Sequence, residues 1–170
     1  MHKNNQIWLC GFMGSGKTTV GRILAKEFSF EFVDMDEYIE EKTNMPIPQI
    51  FKEKGEDFFR KLETDTMKEL ALMEKIVISC GGGAVLLAAN ADIARQNGTL
   101  IYIDVDFETC YNRIKDDINR PLVVNNTKEE LYNIYKKRIP VYNQNSSYSI
   151  NGNSTPEETA RQFTLSVYSL

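Results

Sequence analysis

The stretch "QIWLCGFMGSGKTTVGRILAKEF" (residues 6–28) decides how the rest of the chain is read. It opens with five residues apolar enough for a strand buried on both faces and closes in a helical pattern. Between them Gly11 to Thr18, GFMGSGKT, fits G-x-x-x-x-G-K-S/T in the strand-to-helix setting the motif requires. Its glycines let successive backbone N–H groups face inward as an anion nest, and the next helix presents its positive end to the same place. On this reading Gly14, Ser15, Gly16, Lys17, Thr18 and Thr19 cradle the phosphates of ATP, with Lys17 at the β- and γ-phosphates and the Thr18 hydroxyl on Mg²⁺. The competing reading is a glycine-rich turn with no ligand. The motif points to a nucleotide, not to a reaction. The sequence has no N-K-x-D, the base-reading tetrad of GTPases, so small-molecule kinases and ATP-driven modules remain.

Further strands are expected at "FEFVD" (30–34), "KIVISC" (75–80), "TLIYIDV" (99–105) and, more weakly, "SYSIN" (147–151). Helical patterns lie near 17–28, 56–73, 85–96, 106–115, 127–139 and 156–168. Strands separated by helices imply right-handed crossovers and a parallel sheet covered on both faces. The expected fold is therefore α/β, a P-loop three-layer sandwich on a five-stranded parallel sheet. With 170 residues, no internal repeat and no long linker, the chain reads as one domain, 1–170. "KDDINRPLVVNNTKEE" (115–130) is polar and helix-breaking, the candidate mobile loop.

The formal net charge of -4 argues against broad binding to a nucleic-acid backbone, while a few local cations can still recognise a small anion. The apolar run "IWLCGFM" is too short for a membrane span. Cys10, Cys80 and Cys110 are odd in number and lack C-x-x-C spacing, which suits reduced thiols in a cytoplasmic protein. The only histidine is His2, so histidine-based catalysis and His-rich metal sites are set aside. A monomer acting on a small molecule is expected.

"EFVDMDEY" (31–38) ends an apolar run in two aspartates one residue apart. If the chain is still extended there, Asp34 and Asp36 point the same way. Ligands gather outside the carboxyl ends of strands in open α/β sheets, and carboxylates beside a triphosphate need a cation between them. One aspartate can hold Mg²⁺ through its waters while the other takes a proton from an attacking hydroxyl. Alternatively Asp36 merely caps a helix starting near Glu37. Asp104, ending "LIYIDVD", competes for the metal-side role.

In "SCGGGAV" (79–85) Gly81, Gly82 and Gly83 suit a place where a ligand approaches the main chain, although a tight turn would explain one or two of them. Arg138 falls on the apolar stripe of Leu131, Ile134, Tyr135 and Tyr142, where either a ligand anion or a buried protein carboxylate would satisfy it. Arg60 stands four residues after Glu56, the spacing of an ordinary helix ion pair. Arg120, before Pro121 in the polar loop, is either a solvated arginine or a cation that closes over the transferred phosphate.

Taken together, GFMGSGKTTVGR, the D-x-D of Asp34 and Asp36, GEDFFR ending at Arg60, GGGAV from Gly81, NRPL with Arg120 and KRIPVY with Arg138 closely resemble the shikimate kinase family, across essentially the whole chain. The resemblance implies a nucleoside-monophosphate-kinase-like fold with a substrate-binding region at about 34–61 and a mobile lid at about 113–125. It also implies ATP-dependent phosphorylation of the shikimate 3-hydroxyl in aromatic amino-acid biosynthesis. By the same resemblance Asp36 binds substrate hydroxyls and accepts the proton, and Asp34 belongs to the magnesium–water network. Arg60 and Arg138 clamp the substrate carboxylate, the backbone around Gly82 holds the ring, and Arg120 is the lid arginine. Arg113 and the stretch from Asn153 to Pro156 flank the adenine. The chain departs from the family in K-T-T, with Thr18 where serine is frequent, in the acidic pair Asp116 and Asp117, and in Ser154, where arginine is frequent. A gluconate-type kinase on the same sheet and a non-catalytic ATP-binding regulator are the rival readings.

Overall fold

The computed structural model describes residues 5–167; His2 lies outside the described residues, as does the expected helix end at 168. The chain runs β1 (Gln6–Cys10), α1 (Lys17–Phe28), β2 (Glu31–Asp34), α2 (Met35–Thr43), α3 (Ile47–Lys54) and α4 (Glu56–Leu70). It continues with β3 (Ile76–Ser79), a single 3₁₀ turn (Ala84–Leu86), α5 (Ala88–Asn97), β4 (Gly98–Asp104) and α6 (Phe107–Ile114). The last elements are α7 (Pro121–Val124), α8 (Lys128–Asn145), β5 (Tyr148–Asn151) and α9 (Pro156–Val167).

The five strands form one parallel sheet in the order β2-β3-β1-β4-β5, as the alternation of strands and helices predicts. Central β1 is buried at every position and β3 likewise, because helices cover both faces of the sheet. In the register Asp34 lies opposite Ser79, and Leu9 opposite Ser79 on its other side, so the carboxyl ends of β2, β3 and β1 open onto one rim. Everything that follows sits on that rim. A small second cluster of Ile39, Ile50 and Phe59, joined by Ile47 and Phe51, packs α2, α3 and α4 together beside it.

Three expectations about the elements need correction. The segment 35–54 folds into α2 and α3, absent from the expected helical stretches except for the alternative of a helix starting near Glu37. Their signals are local: Asp34 caps α2 by accepting the Asp36 N–H, and Pro46 and Pro48 open α3. Helix α8 continues through Pro140 to Asn145 instead of stopping at 139. Pro140 and Lys136 are exposed, so the carbonyl that loses its partner faces water, and the buried Tyr142 and Asn145 anchor the continuation. The polar stretch from 115 also contains the short helix α7, with Pro121 at its first position.

Candidate functional site

The loop after β1 is built for an anion. Gly14 and Gly16 take left-handed φ values of 79° and 89°, which turn the backbone inward. Helix α1 begins without a capping side chain and without an acidic residue in its first turn, so its first N–H groups and the positive end of its dipole remain for a ligand. Ser15 is buried, and its hydroxyl has no hydrogen-bond partner among the described residues. Lys17 donates from Nζ to the carbonyls of Gly11 and Phe12, both at 3.0 Å, which turns the ammonium back over the loop. A site with an orphaned buried hydroxyl, uncapped N–H groups and one inward ammonium fits a polyphosphate.

Thr18 follows on α1, and its hydroxyl donates to Asp34 Oδ2 at 2.7 Å. Asp34 Oδ1 accepts the backbone N–H of Asp36 at 3.0 Å. The cap is therefore Asp34 and not Asp36. The expectation that both aspartates project from one extended strand fails as well: the strand ends at Asp34, and Asp36 lies in the first turn of α2. Both nevertheless line one cavity of about 360 Å³ together with Gly16, Lys17, Thr18 and Arg120. Hard oxygen donors from Thr18 and Asp34, few in number and beside a phosphate cradle, suit Mg²⁺, which keeps several waters and takes few protein ligands. Asp104 is instead exposed at the end of β4, where it accepts the Tyr102 hydroxyl at 2.9 Å, away from this cavity.

Loss of hydration in the cleft, then the Asp34 charge, push the Asp36 carboxyl above the usual range, with Lys17 and Arg120 pulling the other way. Lost hydration and the Arg120 charge hold the Lys17 ammonium below its usual value, offset in part by Asp36 and Asp34. The two groups thus sense each other across the cleft.

A second cavity of about 430 Å³ opens beside the first; Asp36, Gly82 and Arg120 line both. Arg60 and Arg138 reach it from α4 and α8, and Ile47, Phe51 and Phe59 form its apolar wall. Arg60 is held on two sides: Nη1 donates to Glu63 at 2.5 Å, and Nη2 and Nε donate to Glu56 at 3.2 and 3.4 Å. The ordinary helix pair with Glu56 is present, but Arg60 also faces the cavity. Arg138 is different. Among the described residues no carboxylate pairs with it; its guanidinium makes a long contact of 3.5 Å to the Gly82 carbonyl and also meets the Tyr142 hydroxyl.

The triple glycine has a specific steric reason. A methyl at Gly83 would lie 2.3 Å from Arg60 Nη1, and one at Gly81 would lie 2.8 Å from Asp36 Oδ1 and 2.9 Å from Glu63 Oε1. Only at Gly82 is the space open, with Arg138 at 3.7 Å. The loop is bare so that the site's own side chains can come close, and Gly82 alone leaves backbone facing a ligand. Its carbonyl also accepts the buried Tyr142 hydroxyl, and Asn145 Nδ2 donates to the Val85 carbonyl at 2.8 Å, which pins the loop to α8.

At the other end of the phosphate loop, Arg113 Nη1 donates to the Gly14 carbonyl at 2.9 Å. Arg113, Thr19, Ser154 and Pro156 share a cavity of about 200 Å³ with Ser15 and Gly16. Asn153 is turned elsewhere: its Oδ1 accepts the Asp106 N–H at 3.0 Å and so ties this loop to the cap of α6.

Sequence reasoning missed Glu63 and Tyr142. Glu63, only 1 % exposed, sits on the buried stripe of α4 with Phe59, Thr66 and Met67. A carboxylate on that stripe, three residues after an arginine, was a legible signal. Burial pushes its pKa up to about 7 against the pull of Arg60.

These features agree with the comparisons to known proteins. The family model described as shikimate kinase matches residues 13–167. A shikimate kinase of Streptococcus gordonii is 44 % identical over 155 residues, covering 89 % of this chain and 94 % of that one. The solved shikimate kinase of Acinetobacter baumannii, in complex with shikimate, superposes with a TM-score of 0.93 at 37 % identity, over 99 % of this chain and 95 % of that one. A gluconokinase of Sinorhizobium meliloti reaches a TM-score of 0.60 at 16 % identity over 95 % of this chain and 90 % of its own, which is a likeness of fold alone. A phosphate cradle joined to a cavity with two inward arginines is what the matched motifs build, and the chain belongs to the shikimate kinase family.

Proposed function

We propose that this chain transfers the γ-phosphoryl group of ATP to the 3-hydroxyl of shikimate, with each residue at the rim given one task. The observation that carries the assignment is the shared wall. Asp36 and Arg120 border both the cavity of Lys17 and the cavity of Arg60 and Arg138, so a donor in one and an acceptor in the other would meet between them.

Gly14 through Thr19 hold the phosphates, Arg113 and Pro156 flank the adenine, and Thr18 and Asp34 hold Mg²⁺ and its waters. When bound, the ion supplies neutralisation of charge on the phosphate oxygens. Arg60 and Arg138 grip the substrate carboxylate, and the Gly81–Gly83 loop, open to a ligand at Gly82, holds the ring. Asp36 orients the hydroxyl. Phosphoryl transfer is loose in character, so alignment and charge neutralisation outweigh a strong base. Asp36 therefore takes the proton late, and its raised pKa makes it a better acceptor than an ordinary carboxylate. Lys17 and Arg120 neutralise charge on the transferring group, and residues 113–125 serve as the lid that excludes water.

Every side chain given a task above belongs to this one chain, in keeping with action as a monomer. The buried free thiols of Cys10, Cys80 and Cys110 support a reducing, cytoplasmic setting. Among the described residues, no helix is long and apolar enough to cross a membrane.

The test is Asp36→Asn in a coupled assay of ADP release with shikimate, gluconate and no acceptor. The expected result is turnover on shikimate only, with kcat lowered about 10²–10⁴-fold by the substitution and ATP binding kept. Normal turnover in the variant would remove Asp36 from the chemistry.

A further inference from the structure

Between α6 and α7 the chain makes a tight turn whose hydrogen bonds converge on one residue. Asp117 accepts the Asn119 N–H on Oδ1 at 3.0 Å, the Arg120 Nε–H on Oδ2 at 2.8 Å and the Arg120 N–H on its main-chain carbonyl at 3.4 Å. Its own N–H donates to the Ile114 carbonyl at 2.9 Å, which fixes the turn to the end of α6. Arg120 then caps α7, its carbonyl accepting from Val123 and Val124. The carboxylate is thus locked on one oxygen and uses the other to hold an arginine by its Nε edge.

That edge matters. A guanidinium gripped at Nε keeps both Nη groups available as a planar fork, the part that matches two oxygens of a phosphoryl group. Among the described residues no protein group accepts from either Nη of Arg120. The arginine borders both cavities, beside Lys17 in one and Asp36 in both. A free arginine side chain has large rotamer freedom, which must be lost before it can act. Held at Nε by a turn that is itself braced, this one keeps its fork for a ligand at the border of the two cavities.

We propose that Asp117 is a positioning residue for phosphoryl transfer, pre-setting the Arg120 fork at the meeting of the two cavities. The acidic pair at 116–117 therefore divides into two unlike parts. Asp117 is half-buried and bonded to the arginine; Asp116 is exposed, and no side-chain bond of it is described. If the pair acted only through charge, removing either carboxylate would help a triphosphate bind. Positioning predicts the opposite sign for Asp117 and nothing for Asp116.

This inference rests on the proposed role of Arg120, and the experiment separates the two. Steady-state kinetics are measured on the full chain for Asp117→Ala, Asp117→Asn, Asp116→Ala, Arg120→Ala and the Asp117→Ala/Arg120→Ala double variant, with melting temperatures as a folding control. Asp117→Ala is expected to lower kcat about tenfold with the shikimate KM within twofold, since the residue borders the transfer and does not hold the acid group. Asp117→Asn keeps an oxygen for Nε and should recover at least threefold of that loss. Asp116→Ala should match the unsubstituted chain. In the Arg120→Ala background, Asp117→Ala should cost less than a further twofold, because its effect runs through that arginine. An unchanged or raised kcat in Asp117→Ala, an equal loss in Asp116→Ala, or additive losses in the double variant overturns the inference and leaves Arg120 as proposed. Full turnover in Arg120→Ala overturns both.

Discussion

The two ends of the site are made of different material. At the phosphate end the contacts a ligand would meet are backbone: uncapped N–H groups of α1 and a loop turned by Gly14 and Gly16, with Lys17 lying back on carbonyls. At the substrate end they are side chains, and these are charged and mutually braced: Arg60 between Glu56 and Glu63, Arg120 on Asp117, Arg138 over Gly82. Backbone donors are fixed once the chain folds and cost nothing further to orient. Side-chain cations must be aimed, and each carboxylate beside them does part of that aiming. The difference teaches where damage will register, as a failure of nucleotide binding at one end and of acceptor selection at the other.

The largest effect that would break this comparison concerns Arg138. Arg138→Ala should raise the shikimate KM about 10–100-fold, as expected from losing a charge-assisted contact of roughly 1.5–3 kcal/mol, while the ATP KM stays within twofold. Arg138→Lys should recover little of it, because an ammonium cannot make the paired contact. Equal changes in both KM values would mean the ends are not separable.

A matched pair of alanines sharpens the contrast at an intermediate size. Gly16→Ala places a side chain in a left-handed conformation at a cost of about 1–2 kcal/mol, and should raise the ATP KM about tenfold and lower the melting temperature. At Gly83 the φ is −102°, so backbone strain is absent, and the clash is with the far end of Arg60. Gly83→Ala should leave the melting temperature nearly unchanged and raise the shikimate KM by a similar factor. Isothermal titration with each ligand separates the two.

The smallest effect is on pH. Burial raises Glu63 to about 7, above its unfolded range, so the folded chain keeps this proton longer than the unfolded one. The stability it contributes is full below about 4.5, shrinks as pH rises from there and is gone above about 7. Melting temperature should therefore fall between pH 5 and 8 by about 2–4 °C more in the natural chain than in Glu63→Gln, read by calorimetry. An identical slope would show that Glu63 is ionised throughout.

The same division explains what could be read beforehand. The phosphate end was legible residue by residue, because glycine spacing, a lysine and a hydroxyl at fixed offsets are a local code, and the five strands were legible as apolar runs. The substrate end is assembled from α2, α4, the glycine loop and α8, which meet only in the folded chain. Arg138 showed as a charge on an apolar stripe, but what faces it did not. Asp36 was placed on a strand because one residue of local geometry, the cap at Asp34, decides between strand and helix there. Asp117 showed only as half of an acidic pair that departs from the family; its hydrogen bond to Nε gives it a role of its own.

The unequal bracing of Arg60 and Arg138 bears on inhibitor chemistry. A competitive ligand that exchanges its acid group for a neutral isostere would leave Arg60 content with Glu56 and Glu63, but would leave Arg138 with no carboxylate, beside the Gly82 carbonyl and the Tyr142 hydroxyl. Most of the affinity lost by such a compound would trace to α8, and a replacement group should be built to satisfy that one guanidinium first.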